Sequence, residues 1–386
     1  MGDSVSGLHI VINGKGLGHN ARQRQVADDI KTYLNNQGKH TDIAIITESK
    51  ILDFWEGFPT FRVPSPHDKM GWGLEKIREV NSQITSNLIK QLEPDYVTMD
   101  TYPREVSEKP SDKIFKSMIM RPMTYTRYIE KSKAAEEAWG GFDFVAIPTN
   151  EKHENLLDLD PEWSNYFNQI KSGGGNVEHV GRIVPFRKEL ESLDVNDVKT
   201  RMRTKLGYEK DDDVICFAFG GGAFLNSIQG APLEAEISEL ASDGFKMHLI
   251  AGPYADKEWL KTLRDKHSEL TVELNYIEPS TYAKRMLSAD LVVSPSGYNT
   301  QTTCFFLGIP LVSLNIGGDE CRSKWIHLLD EMGATPCVEN YNGLSELVSG
   351  LSARDLSSMT ASARGLIDKN GSKTFARSLS QYGNLI

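Results

Sequence analysis

Cysteine is scarce in this chain, with four in 386 residues: Cys216, Cys304, Cys321 and Cys337. Their positions show no metal-ligand spacing, and Cys216 and Cys304 fall in apolar runs. Reduced, buried thiols in a cytosolic protein are the simple reading, not a disulfide framework. Long apolar runs are also missing, and none approaches the length that spans a bilayer. Met1-Gly2-Asp3-Ser4 shows no basic region followed by an apolar stretch, so no export signal is visible. A cytoplasmic location is expected. Cations are in deficit, 43 Lys and Arg against 53 Asp and Glu, for a net charge of -10. That argues against general nucleic-acid binding, which needs basic surface to displace counterions. One local basic pocket is still compatible with it.

The length exceeds what one ordinary core supports, so two domains of similar size are expected. Short apolar runs alternate with helical periodicity along the whole chain. In the first half the strand-like runs are 8–12, 43–46, 61–63, 95–100, 117–120 and 142–148, with long helices over 74–92 and up to about 138. In the second half the runs are 214–219, 247–251, 271–274, 289–294 and 310–314. Helices are expected at 195–206, 257–266, 281–287, 322–332, 356–366 and 373–379. Such alternation implies parallel sheets covered on both faces, an α/β protein. A glycine-rich loop is expected at 171–176. A last strand over 177–185 then leaves through a Gly/Pro linker, which puts the domain boundary near Pro185.

Two turns carry chemistry. The late run 289–294 is followed by Pro295-Ser296-Gly297-Tyr298-Asn299-Thr300 and a short apolar helix. A helix start leaves backbone N–H groups pointing outward, and the macrodipole adds roughly half a positive charge there. This is a seat for phosphate. The early run 8–12 leads into Asn13-Gly14-Lys15-Gly16-Leu17-Gly18-His19. A dinucleotide fingerprint would need glycine at position 19 and an acidic partner for the ribose, a place that Glu48 roughly occupies. Histidine at the turn's tip points to chemistry instead. Open α/β sheets bind ligands outside the carboxyl ends of their strands, and Asp100 ends a strand on that rim. An Asp–His pair there fixes one imidazole tautomer and leaves the other nitrogen to take a proton. The same two residue types also serve as plain surface or capping groups.

Taken together, Gly14-x-Gly16-x-Gly18-His19, Pro94-Asp95-x-Val97-x-x-Asp100, Val180-Gly181 and Ser296-Gly297-Tyr298-Asn299-Thr300…Leu307-Gly308-x-Pro310 resemble the GT-B glycosyltransferases. The likeness is to the MurG-like and UDP-glycosyltransferase members, and it covers nearly the whole chain. It implies two Rossmann-like domains facing across a cleft. Residues 1–185 would bind the acceptor, 186–366 the nucleotide-sugar, and 367–386 would form a helix crossing back to the first domain. It implies an inverting sugar transfer from a nucleotide-sugar donor, usually UDP-linked, with no bound metal and no cofactor. His19 matches the family's catalytic histidine and Asp100 the aspartate that orients it. Ser296, Gly297, Tyr298, Asn299 and Thr300 match the diphosphate-binding helix start. Gly221 and Gly222 match the glycine loop below the donor, and Ile277 the segment that meets the nucleobase. Two positions depart from the pattern. Thr303 stands where a glutamate usually clasps the ribose, and Asp319-Glu320 where Asp-Gln usually holds the donor sugar.

Gly16, Gly18, Arg182 and Arg187, with Lys15, are candidates for the diphosphate and the cleft. Each of these cations has a plain alternative as solvated surface charge. His67 and Trp72 in the breaker-rich loop 64–73 are candidates for the acceptor side, as are Arg121 and Tyr125 in 121–128. Core packing is the alternative for Trp72. Two other classes of function stay open. One is a nucleotide-sugar epimerase or hydrolase on the same fold. The other is a non-catalytic sugar-nucleotide-binding subunit.

Overall fold

The computed structural model describes residues 4–12, 18–66, 68, 70–101, 108–220, 231–252, 255–273, 278–316 and 320–386. The chain divides into two units. One comprises Met1–Gly14, His19–Ile183 and Asp368–Ile386; the other comprises Lys15–Gly18 and Val184–Ile367.

The first unit is built on seven strands: β1 (Ser4–Val11), β2 (His40–Thr47), β3 (Thr60–Arg62), β4 (Tyr96–Asp100), β5 (Phe115–Ile119), β6 (Phe144–Ile147) and β7 (Asn176–His179). They pair in parallel in the order β3-β2-β1-β4-β5-β6-β7. Tyr96, Val97, Phe144, Val145 and Ile147 are fully buried, as strands covered on both faces require. The helix Gly18–Asn36 follows β1 and turns Val26, Ala27, Ile30 and Leu34 inward, the stripe of an amphipathic helix. The terminal segment belongs to this unit. Its helix Gly371–Tyr382 stacks Phe375 on Phe144 at 5.5 Å between ring centroids. Ser372 Oγ donates to Asp29 Oδ2 (2.5 Å), and Ser378 Oγ to Glu178 Oε2 (2.7 Å).

The second unit has six strands: β8 (Val214–Ala218), β9 (Lys246–Ile250), β10 (Leu270–Glu273), β11 (Leu291–Ser294), β12 (Leu311–Asn315) and β13 (Cys337–Glu339). They also pair in parallel, in the order β10-β9-β8-β11-β12-β13. Its core gathers Phe217, Leu233, Ile237, Leu249, Val293 and Leu314.

Strand order reverses between β1 and β4 in the first sheet and between β8 and β11 in the second. These are the switch points at which open α/β sheets bind ligands. Two local expectations change. Lys171 and Ser172 close the helix Trp163–Ser172, and Asn176 already opens β7, so only the glycines between them form the turn. β7 stops at His179, because Gly181 at φ 85 turns the chain out of the sheet. Residues 180, 183 and 184 are nonetheless buried.

Candidate active site

In the first unit, β1 and β4 lie side by side, with Ile10 opposite Met99. The helix after β1 carries His19 at its second position, and β4 ends at Asp100. Residues 81 positions apart therefore meet, with His19 Nδ1 2.5 Å from Asp100 Oδ1. Asp100 is 3% exposed, whereas the His19 side chain keeps 16% of its surface open.

Two residues that the sequence reading did not single out complete this cluster. Arg22, one helical turn after His19, donates from Nε to Asp100 Oδ2 at 2.9 Å and from its second nitrogen to Oδ1. The Thr101 hydroxyl donates to the same Oδ1 at 2.6 Å, from a residue at φ 70. The i, i+3 spacing of His19 and Arg22 on one helix face was a usable signal.

Burial pushes the Asp100 carboxyl up, but the Arg22 and His19 charges and hydrogen bonds outweigh it and hold it well below the usual carboxylate range. An ionised carboxylate only accepts hydrogen bonds. Nδ1 of His19 therefore carries the proton and Nε2 is left as an acceptor. Burial lowers the His19 pKa below 6.5; Asp100 opposes this, while Arg22 and Arg121 add to it. The imidazole is thus neutral near pH 7, the state a proton acceptor needs. Arg121, two residues past β5, places a cation in reach of His19, and its Nε is buried with no hydrogen-bond partner among the described residues.

Of the other acceptor-side candidates, Trp72 is 45% exposed, so it is not a core residue. Tyr125 opens the helix Tyr125–Trp139, its N–H donates to Asp160 and its ring packs edge-on to Trp163 at 5.2 Å. Tyr128, in the same stretch, is fully buried and bonds the Tyr166 hydroxyl, so it forms no part of a wall. His67 lies outside the described residues.

In the second unit, β11 ends at Ser294 and the helix Tyr298–Leu307 begins after three intervening residues. Ser296 sits at φ 59, and Gly297 is the N-cap with no side-chain cap. Gln301 N is bonded to Gly297 O, so the amides of residues 298–300 precede the first intrahelical bond. Tyr298 turns its ring into the core against Trp325 (6.0 Å), which leaves its main chain and not its ring at the turn. Thr300 Oγ1 meets the Tyr282 hydroxyl at 3.2 Å, and Thr303, one turn on, is 7% exposed. Asn299 Nδ2 donates to the carbonyl of Gly18, which groups with this unit, at 2.6 Å. Its Oδ1 is buried with no hydrogen-bond partner among the described residues.

Two expected cations are occupied elsewhere. Arg182 is neither solvated nor presented to a ligand. It is completely buried in the first unit and grips Glu154 with two nitrogens, Nε at 2.8 Å from Oε2. Arg187 bonds Glu191 at 2.7 Å and lies over the Phe306 ring at 5.0 Å. Glu48 is likewise buried, 3.4 Å from Asn81 Nδ2. Gly16, Gly221, Gly222, Ile277 and Asp319 lie outside the described residues. Glu320 opens the helix Glu320–Glu331, and its side chain lies outside the description. No described helix is long and apolar enough to cross a membrane.

No known protein family and no curated protein matches the sequence. Solved structures do match over almost the whole chain. A UDP-GlcNAc 2-epimerase from Neisseria meningitidis, bound to UDP-GlcNAc, is 14% identical with a TM-score of 0.68, covering 98% of this chain and 100% of its own. Arabidopsis thaliana UGT89C1 complexed with UDP is 13% identical with a TM-score of 0.67, covering 98% and 99%. MurG from Acinetobacter baumannii is 13% identical with a TM-score of 0.56, also covering 98% and 99%. The chain is an α/β protein of the GT-B fold. At these identities the likeness defines the fold, and function has to be argued from the site.

Proposed function

We propose that this protein is an inverting, metal-independent glycosyltransferase that moves a sugar, of hexosyl or N-acetylhexosaminyl type, from a UDP-sugar to an acceptor hydroxyl. The observation that carries the reading is the His19–Asp100 contact, with Nδ1 tied down and Nε2 left as the acceptor. His19 takes the hydroxyl proton as the oxygen attacks the anomeric carbon. The bond from that carbon to the diphosphate breaks, and its electron pair leaves with the diphosphate. Asp100 steadies the imidazolium, a form of general-base help typically worth about 10²–10⁴ in rate. The uncapped start of the helix Tyr298–Leu307 receives the charge that develops on the leaving group. Asn299 Oδ1, which has no hydrogen-bond partner among the described residues, would take a donor from the ligand, which suits a substrate rich in hydroxyl groups.

A second reading, a nucleotide-sugar 2-epimerase, rests on the Neisseria structure, whose TM-score of 0.68 stands level with the 0.67 of UGT89C1. One experiment separates them. UDP-sugars are incubated with the protein, with and without a panel of hydroxyl acceptors. Acceptor-dependent release of UDP, reduced by about 10²–10⁴ in His19→Ala, supports transfer. An epimerised sugar formed without any acceptor overturns it. Unchanged UDP release in His19→Ala removes the histidine from the mechanism.

A further inference from the structure

The scarcity of cysteine and the absence of a ligand spacing in the sequence hide a cluster that only the fold assembles. Cys337 and Glu339 are two residues apart on β13, so their side chains share one face of the strand. His327 comes from the helix Glu320–Glu331, which packs beside that strand. The imidazole Nε2 lies 3.2 Å from Glu339 Oε1, and Cys337 Sγ lies 3.8 Å from the same oxygen. All three ligand atoms fall within 4.8 Å of one another.

We propose that His327, Cys337 and Glu339 bind a single borderline-soft divalent cation, of which Zn²⁺ is the natural choice, with water in the fourth position. The two separations to Glu339 Oε1, 3.2 and 3.8 Å, lie near what a shared ion requires. Tetrahedral zinc with nitrogen and oxygen at about 2.0–2.1 Å and sulfur at about 2.3 Å sets its ligand atoms roughly 3.3–3.6 Å apart. The mixed sulfur, nitrogen and oxygen set selects zinc-like metals over Mg²⁺ or Ca²⁺, which take oxygen. A supporting shell is already in place. Asn315, which faces Glu339 across the β12–β13 pairing, donates from Nδ2 to Glu339 Oε1 at 2.7 Å and to Ser323 Oγ at 2.8 Å. It fixes the carboxylate from outside, as second partners of metal ligands do. His327 and Glu339 keep 49% and 54% of their side-chain surface open, so a cation reaches them without unfolding.

The consequence is mechanical, not catalytic. β13 is the edge strand of its sheet, and edges are the weakly held part of such structures. A metal shared between this strand and the neighbouring helix staples the edge. It lies two strands from β11 and its turn, so the site is separate from the one assigned to the diphosphate.

The test uses the reduced, chelator-stripped full chain. Titration with Co²⁺ is expected to give a thiolate-to-cobalt charge-transfer band saturating at one equivalent, and Zn²⁺ is expected to displace it. Cys337→Ala and His327→Gln should each abolish the band, and Asn315→Ala should weaken binding by on the order of 10-fold. Zn²⁺ should raise the melting temperature of the wild type and not of C337A or H327Q, since a ligand of the native state stabilises only what it binds. Absence of the band in the wild-type chain overturns the proposal. So does a band that survives in both C337A and H327Q. Neither result bears on UDP-sugar turnover, which is measured separately.

Discussion

Arg22 holds both oxygens of the Asp100 carboxylate, and one of those oxygens is also the partner of His19. A carboxylate serving imidazole alone would raise its basicity. Here a guanidinium, beside the same imidazole, pulls the other way, and burial acts with it. The arrangement keeps His19 neutral to lower pH than a free histidine. It also makes Asp100 part of a buried ion pair whose geometry fixes where the imidazole points.

The pH profile of turnover follows. A base with lowered pKa loses activity only as pH falls below its usual titration range, so the acid limb of kcat/KM should lie below pH 6.5. Arg22→Gln removes a charge that lowers the His19 pKa and should move that limb to higher pH. Arg22→Lys keeps the charge and should leave the limb nearer its original place. An acid limb that stays fixed in Arg22→Gln, in a variant that remains folded, would show that Arg22 does not tune the base.

Much of this was legible in the residues and some was not. The alternating apolar runs located twelve of the thirteen described strands, because most of these strands are buried along their length and carry their own apolar signal. β13 escaped, being three residues long with Cys337 only half-buried and Glu339 exposed. The helix Trp163–Ser172 had a readable pattern in Trp163, Tyr166, Phe167 and Ile170, which are its buried residues. His19 and Asp100 were legible because glycine turns and strand ends mark a rim. Arg182 was misjudged because sequence offers no sign that Glu154, 28 positions earlier, is buried with it. The cluster at His327 depends on strand pairing and helix packing, which no spacing encodes.

The Arg182–Glu154 pair invites a stability test. Both side chains are fully buried. Removing one partner strands a charge in the core, which typically costs about 3–5 kcal/mol. Arg182→Met alone should therefore lower the denaturant midpoint sharply. Arg182→Met with Glu154→Leu should recover most of that loss, because no charge is left to solvate. Additive losses in the double variant would mean that the pair is not coupled as the geometry requires.

His9 makes stability pH-dependent. It is fully buried, with Nδ1 2.8 Å from Gln23 Oε1. Burial lowers its pKa from 6.5 to about 4, with the Gln23 bond opposing. The unfolded chain takes up this proton below about pH 6.5, whereas the folded chain refuses it until about pH 4. Stability should thus fall across that window, by roughly 3 kcal/mol from this residue. His179, lowered to about 4 by burial and by the Lys369 charge, acts in the same direction. Urea denaturation across the window checks this, and His9→Gln should flatten the decline. A slope unchanged by the substitution would assign it to other groups.

The seating of the terminal helix in the first unit rests on a glycine. Gly371 opens that helix, and its N–H donates to the Arg182 carbonyl at 3.2 Å. A methyl group there would stand 2.3 Å from the Gly181 carbonyl oxygen and 2.6 Å from that of Arg182, both main-chain atoms. Neither can swing aside as a side chain would. Gly371→Ala should therefore push the helix start outward and cost about 1–3 kcal/mol, the usual range for forced overpacking. Gly350→Ala is the matched control, since a methyl there meets nothing within 4 Å. It should be neutral or stabilising by up to about 1 kcal/mol, because alanine has less freedom to lose on folding. Equal midpoints for the two variants in thermal or urea melts would show that the helix is not held at this contact. A selective loss in Gly371→Ala, with faster proteolysis of the last residues, would show that it is.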